Sequence, residues 1–254
     1  MKVVACVKAA PEAEDIATRP DRTLDLDRAA WKIGTYDLNA VEAARVLADA
    51  TDGVAIGLSV GGPALANSKL RKNALSRGLD ELVVVSDDSL ADLDTFQTAS
   101  VLKEALTRLD GVDVVLVGAG SSDVYAQQVG NELGALLGVA TLNAVNAITP
   151  AGDHLVVERL LENAVQVVEV PLPAVLSLTS GINTPRIPGM RDVLAAGKRP
   201  TSELAGIIAP APSAERTSLL AVEHVERAHR VVEADTADAV AQLVDYLNSV
   251  GGTR

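Results

Sequence analysis

Residues 2–7 (KVVACV) form a nearly unbroken apolar run rich in β-branched side chains, and similar runs follow at 54–60, 81–86 and 112–118. Such runs predict short strands buried on both faces. Between them the period changes. Residues 37–50 (DLNAVEAARVLADA) bring Leu38, Val41, Ala44 or Arg45, and Ala48 onto one face at three-to-four spacing, which predicts a helix. Asp37 is its expected N-cap and Gly53 its expected stop. Residues 64–77 and 94–109 repeat the pattern, with Gly78 and Gly111 just beyond them. Strand followed by helix, four times over, predicts an α/β fold with a parallel sheet covered on both faces.

The rhythm changes after residue 140. Residues 141–148, 155–160 and 165–170 read as short strands, with a hairpin signal at Ala151-Gly152-Asp153. Pro171 and Pro173 precede another buried strand at 174–178. Beyond about 200 the chain becomes irregular, with linker composition at 207–215 (IIAPAPSAE). Residues 236–250 then offer an amphipathic helix with Val240, Leu243 and Leu247 on one side. The expected division is an α/β domain over 1–200 and a C-terminal arm over 201–254. Whether the last helix reaches outward as an arm or folds back on its own domain stays open at this level. No repeat of 20–50 residues appears beyond the strand–helix alternation.

Composition narrows the function classes. The chain has 254 residues, 34 acidic against 22 basic, and a formal charge of −12. That balance argues against nucleic acid as a partner. Only five residues are aromatic (Trp31, Tyr36, Phe96, Tyr125 and Tyr246), so stacking platforms are few. The 48% apolar content comes mostly from Ala, Val and Leu. The single cysteine, Cys6, excludes an internal disulfide or a CxxC pair, and it reads as a core residue. His154, His224 and His229 are scattered and read as surface residues, so a zinc centre is not expected. Asp87, Asp88, Asp92 and Asp94 read as loop and helix-start charges. The DRTLDLD stretch at 21–27 lacks the Gly and closing Glu of a calcium loop. No apolar run reaches the roughly 18 residues of a membrane span, and the start lacks a secretory pattern. The expectation is a soluble cytoplasmic protein without membrane insertion.

The richest local signal is DVVLVGAGSSDVYAQQVGNELGALLG at 113–138. A buried strand runs into Gly118-Ala119-Gly120, then Ser121-Ser122-Asp123, then an expected helix carrying Gln127 and Gln128 in its first turns. Glycines permit close backbone approach, and a helix start offers free N–H groups to an anion. Ligands of α/β sheets bind at the carboxyl ends of the strands. The spacing is neither GxGxxG nor a Walker A loop. A phosphate-binding loop and a plain glycine turn with a polar helix cap both fit the pattern. No GxSxG or HExxH supports hydrolase chemistry. Residues 183–200 carry Pro185, Pro188 and Pro200 and a short helical stretch after Gly189-Met190. Met190 reads either as a core plug, which the pattern alone favours, or as an adaptable contact residue.

Six segments together resemble the β subunit of an electron transfer flavoprotein, and specifically the Fix branch. They are YDLNAVEAA (36–44), LSVGGPAL (58–65), SRGLDELVVV (76–85), GAGSSDVYAQQVG (118–130), VER (157–159) and LPAVLSLTSGINTPRIPGM (172–190). The resemblance implies an α/β adenine-nucleotide fold and an α-subunit partner that holds the electron-carrying FAD near the interface. It implies AMP, or a second FAD, in this subunit. By position it puts nucleotide contacts on Cys6, Val60, Asp123, Ala126, Gln127, Gln128 and Val129, and the glycines and hydroxyls of the loop itself, Gly118, Gly120, Ser121 and Ser122, complete the candidate nucleotide site. It puts a docking loop for an acyl-CoA dehydrogenase-type or quinone-oxidoreductase-type partner on residues 186–196. Arg186, Gly189, Met190 and Arg191 belong to that loop, with Met190 as its anchor, which reverses the core reading.

The chain also departs from the family pattern. Gly34-Thr35-Tyr36 stands where many members carry Asn-Pro-Phe. Gln127-Gln128-Val129 stands for Asn-Gln-Thr and lacks the hydroxyl. Leu160 follows VER where a glutamate is usual. The expected function is an electron-carrying subunit of a heterodimer, in which the flavin supplies the redox chemistry and no side chain need act as an acid or base. Electron passage would be gated by domain rotation. The alternative is a stand-alone adenine-nucleotide module of the stress-protein type.

Overall fold

The computed structural model describes residues 1–223, 229 and 231–251; the expectation for His224 lies outside them. In chain order the elements begin with β1 (Lys2–Cys6), β2 (Ala9–Pro11), β3 (Ala17–Thr18), β4 (Leu24–Asp25) and β5 (Trp31–Ile33). There follow α1 (Thr35–Ala50), β6 (Val54–Gly61), α2 (Ser68–Ser76), β7 (Glu81–Ser86), α3 (Thr95–Thr107), β8 (Val114–Gly118) and α4 (Val129–Leu137). The second half adds β9 (Ala140–Ala151), β10 (His154–Leu161), β11 (Ala164–Pro171), β12 (Ala174–Leu178), α5 (Met190–Ala196), β13 (Thr201–Glu203) and α6 (Thr236–Ser249).

Among the described residues, nine strands join in one sheet, in the order β11-β10-β9-β12-β8-β1-β6-β7-β13. β10 runs antiparallel to both neighbours, and every other pairing is parallel. The central parallel strands β1, β6, β7, β8 and β12 are buried on both faces, which is why their sequences do not alternate. Val3, Ala5, Leu116 and Leu176 point to one side, under α1 and α2. Val4, Cys6, Leu58, Val83, Val115 and Val175 point to the other, under α3 and α4. The hairpin β9–β10–β11 extends the first core through Val145, Leu155, Val157 and Val170.

Helix boundaries follow local chemistry. α3 opens with a capping box, in which Asp94 Oδ1 accepts the Gln97 N–H and Gln97 Oε1 accepts the Asp94 N–H. Asp87 caps a short turn by accepting from Ser89. Gly78, Gly111 and Gly152 all take positive φ at the turns the sequence marks. The expected N-cap of α1 is displaced, because the helix starts earlier, at Thr35 with Gly34 before it. Asp37 thus lies inside the first turn and is buried.

Beyond residue 200 the chain first adds β13 to the sheet edge beside β7 and buries Ile207 in the second core. α6 buries none of its residues. No helix among the described residues is long and apolar enough to cross a membrane.

Candidate functional site

β1, β6 and β8 lie side by side and end at the same edge of the sheet, the edge where helices α3 and α4 begin. Cys6 closes β1, with its thiol buried in the second core. Burial, with the Asp37 charge adding to it, pushes that thiol far up, so it stays a neutral apolar group. Val60 and Val129 pack against the same cluster. The structure therefore brings three dispersed positions, 6, 60 and 129, onto one apolar wall.

The loop after β8 differs from the expected helix start. α4 begins at Val129, so Ala126 and Gln127 precede the helix and Gln128 sits at its N-cap position. Tyr125 and Gln127 take positive φ, at 52° and 58°, which helical geometry cannot accommodate. Gly130 and Gly134 explain where α4 can sit: a Cβ on them would lie 2.1 Å from Ser177 Oγ and 1.8 Å from Thr141 Oγ1. The helix rests nearly on the sheet, and the residues before it are exposed.

Ala119 N–H donates to the Leu178 carbonyl at 2.9 Å, so the loop leaves the sheet held to β12. Ser121 Oγ accepts from the N–H groups of Val124 and Tyr125 at 3.4 and 3.3 Å. Ser122 is exposed. Asp123 accepts the Val124 N–H at 2.8 Å and takes the Lys8 ammonium on both oxygens, at 2.8 and 2.6 Å. Partial burial pushes the Asp123 carboxyl up, but its bonds with Lys8 and Ser121 outweigh this and hold it below the usual range. Gly118 and Gly120 admit close neighbours. A Cβ on Gly118 would meet Asp37 Oδ1 at 2.6 Å, and one on Gly120 would meet the Tyr125 ring at 2.4 Å. Tyr125 Oη stands 3.1 Å from Tyr36 Oη, with ring centroids 5.7 Å apart and planes tilted 45°. That contact holds the Tyr36 phenol above its ordinary pKa.

Under the loop lies Asp37, whose Oδ2 accepts the Lys8 N–H at 2.7 Å. Burial pushes its carboxyl up to about 7, against the hydrogen bond and charge of Lys8. On the helix side, the Thr95 hydroxyl stands 3.1 Å from both Gln128 Oε1 and Glu132 Oε1. Glu132 Oε2 is buried without a hydrogen-bond partner among the described residues.

Sequence reasoning did not mark Lys8, Tyr36, Asp37, Tyr125 and Glu132 as site residues. The place of Lys8 directly after the first apolar run, at a strand's carboxyl end, is the signal that points to it. Among the described residues, no group of three His, Cys, Asp or Glu side chains could hold a metal. An open cleft of about 410 Å³ lies elsewhere, between α3, α4 and residues 206–210. Phe96, Leu136, Ile207 and Ile208 line it, away from the strand ends that gather the polar groups.

Residues 180–196 form a second feature. Asn39 Nδ2 donates to the Asn183 carbonyl at 2.9 Å, and Asn183 Nδ2 donates back to the Asn39 carbonyl at 3.0 Å. Arg186 grips Glu42 through Nε at 2.7 Å and Nη2 at 2.9 Å, and Arg77 donates to the Arg186 carbonyl at 2.8 Å. Arg186 thus faces inward, onto α1, and Glu42 is held below the usual carboxylate range by its bonds with Arg186. Gly189 precedes α5, whose Asp192 accepts the Gly189 N–H at 2.8 Å. Ile187, Met190 and Leu194 are 91, 78 and 68% exposed, and Arg191 is exposed beside them. Leu160 lies on the outer face of the hairpin, opposite Val165.

A sheet covered on both faces, with a glycine-bearing loop over the carboxyl ends of its central strands, defines an α/β protein of the doubly wound class. A family model described as the electron transfer flavoprotein domain matches residues 22–209. The chain belongs to the electron transfer flavoprotein family. Family membership implies a flavin-dependent heterodimer that exchanges electrons with redox partners.

Proposed function

We propose that this chain is the β subunit of a cytoplasmic electron transfer flavoprotein of the Fix branch. It pairs with an α subunit that holds the electron-carrying FAD and binds AMP or a second FAD at the end of β8. The observation that carries the reading is the convergence of the family's nucleotide positions at one strand edge. Cys6, Val60 and Val129 pack in the one apolar cluster under α3 and α4, and the loop from Gly118 to Gln128 leaves the end of β8 beside β1.

The donor set fits part of an adenine nucleotide. The apolar wall suits a ring, and the buried, unpartnered Glu132 Oε2 suits a hydroxyl donor such as a ribose O–H. Gly118 and Gly120 leave room for Asp37 and the Tyr125 ring beside the loop. The exposed Ser122 hydroxyl is the candidate phosphate donor, since Lys8 is engaged by Asp123 and the Ala119, Val124 and Tyr125 N–H groups are bonded within the chain. The flavin supplies the electron-transfer chemistry when bound. This chain's part is to place the ligand, exclude water through the α3–α4 cluster, and present a docking surface. Ile187, Met190 and Leu194 form that surface for an acyl-CoA dehydrogenase-type or quinone-oxidoreductase-type partner. α6, with Val240, Leu243 and Leu247 exposed, acts as the arm that packs on the α subunit.

Co-purification with the α subunit tests the reading, with flavin counted by visible absorbance and AMP by chromatography. One flavin and one AMP per heterodimer supports AMP in this subunit. Two flavins support electron bifurcation. A monomer that binds nucleotide without an α subunit supports a stand-alone module instead, and a complex free of both flavin and adenine nucleotide overturns the assignment.

A further inference from the structure

We propose that Tyr125, backed by Tyr36, is the stacking platform for the ring of the adenine compound bound at the end of β8. The site then reads the ring more than the phosphate. The proposal rests on the nucleotide reading above.

Five aromatic residues serve the whole chain, and two of them meet at this loop. Their meeting is specified by the backbone. Tyr125 is held in the left-handed region, a conformation that crowds the Cβ of a bulky L-residue against the following carbonyl oxygen. Its ring lies directly on Gly120, where any side chain would collide. Ser121 Oγ accepts the Tyr125 N–H, and Tyr36 Oη holds the phenol tip from the start of α1. Four separate features thus fix one ring whose residue stays 48% exposed. A large aromatic side chain held in place yet left uncovered offers a flat π-face to a flat ligand.

The charges around it point the same way. The ammonium nearest the loop, Lys8, is neutralised by both Asp123 oxygens. Glu132 lies beside Gln128, and its carboxylate disfavours a dianionic phosphate there. The aromatic face bears no such penalty.

The test is calorimetric titration of the full-length chain, cleared of bound nucleotide, with AMP and with adenosine. The wild type is expected to bind both within about threefold of one another, and roughly 10 mM inorganic phosphate is expected not to displace either. Tyr125→Ala is expected to weaken both by about tenfold or more, the usual effect of losing one stacked base. Tyr125→Phe keeps the ring and is expected to stay within about threefold of wild type. Gly120→Ala, which unseats the ring, is expected to behave like Tyr125→Ala. Thermal midpoints report folding separately, and the exposed position of Tyr125 predicts that its variants melt like wild type. Wild-type binding that Tyr125→Ala leaves unchanged overturns the platform but not the nucleotide site. The platform falls equally if Tyr125→Phe loses as much as Tyr125→Ala, or if AMP binds about a hundredfold tighter than adenosine. A wild type that binds neither probe, nor FAD, overturns the nucleotide reading and the platform with it.

Discussion

Asp37→Asn should remove a pH dependence that the buried carboxyl imposes on folding. Asp37 is buried beneath the loop, and burial raises its folded pKa to about 7 from an ordinary value of 3.8. Between those two values the folded chain binds a proton that the unfolded chain does not. Stability from this group is therefore fullest below the unfolded pKa and is lost as pH rises through about 7. Integrating that difference gives a loss of roughly 2–3 kcal/mol between pH 5 and pH 8, at about 1.4 kcal/mol per unit where the slope is full. Other carboxylates, including Glu42 and Asp123, are held below their usual range and act with the opposite sign, at lower pH. The quantity to follow is accordingly the difference between variant and wild type. Urea unfolding at half-unit steps from pH 5 to 8 supplies it. The Asn variant should gain on wild type by roughly 2–3 kcal/mol across that range and level off above 7. A difference that stays flat would show that Asp37 is ionised throughout. The Lys8 N–H and ammonium would then outweigh burial.

Three other outcomes follow from the geometry. Gly134→Ala should destabilise the chain by more than about 2 kcal/mol in urea, because its Cβ would fall 1.8 Å from Thr141 Oγ1. Thr141→Ala in the same chain removes the hydroxyl but keeps a Cβ 2.8 Å away, so it should restore part of that loss, and no restoration would mean that α4 is not seated on β9 as described. Glu42→Gln should loosen residues 180–191, seen as several-fold faster tryptic cleavage after Arg186 or Arg191 with an unchanged thermal midpoint; an unchanged cleavage rate would show that the Asn39–Asn183 pair holds the segment alone. Met190→Ala should leave stability within about 0.5 kcal/mol of wild type, as expected for an exposed side chain. It should also slow electron transfer to the redox partner, and an unchanged rate would remove Met190 as the anchor.

The parallel core was legible because burial on both faces leaves no polar positions in the strands. β7 and β12 coincide with runs read from sequence, residues 81–86 and 174–178, and β1, β6 and β8 differ by one or two residues. The hairpin was legible from Ala151-Gly152-Asp153, where Gly152 takes φ 78°. The short ladders β2–β5 and β3–β4 were not, since two or three residues carry too little period to read. Asp37 was misread for a related reason. A carboxylate at a helix start looks like a cap whether it bonds its own helix or, as here, the N–H of a residue 29 positions away. The start of α4 failed in the same manner, because nothing in YAQQ declares that Tyr125 and Gln127 will turn left-handed.

These misreadings share a cause that bears on the site. The polar groups that shape the loop are joined across the fold. Lys8 with Asp123, Tyr36 with Tyr125 and Thr95 with Glu132 are separated by 115, 89 and 37 residues. Glycine spacing locates where a ligand could approach, because it acts through a few consecutive residues. It does not say which cation is already neutralised or which ring is uncovered. Those two facts decide what an adenine ligand would meet, and both come from Lys8 and Tyr36, which reach the site from β1 and α1. The glycines make room at the end of β8, but whether a ligand there would meet a ring or a free cation is decided by residues from the first sixth of the chain.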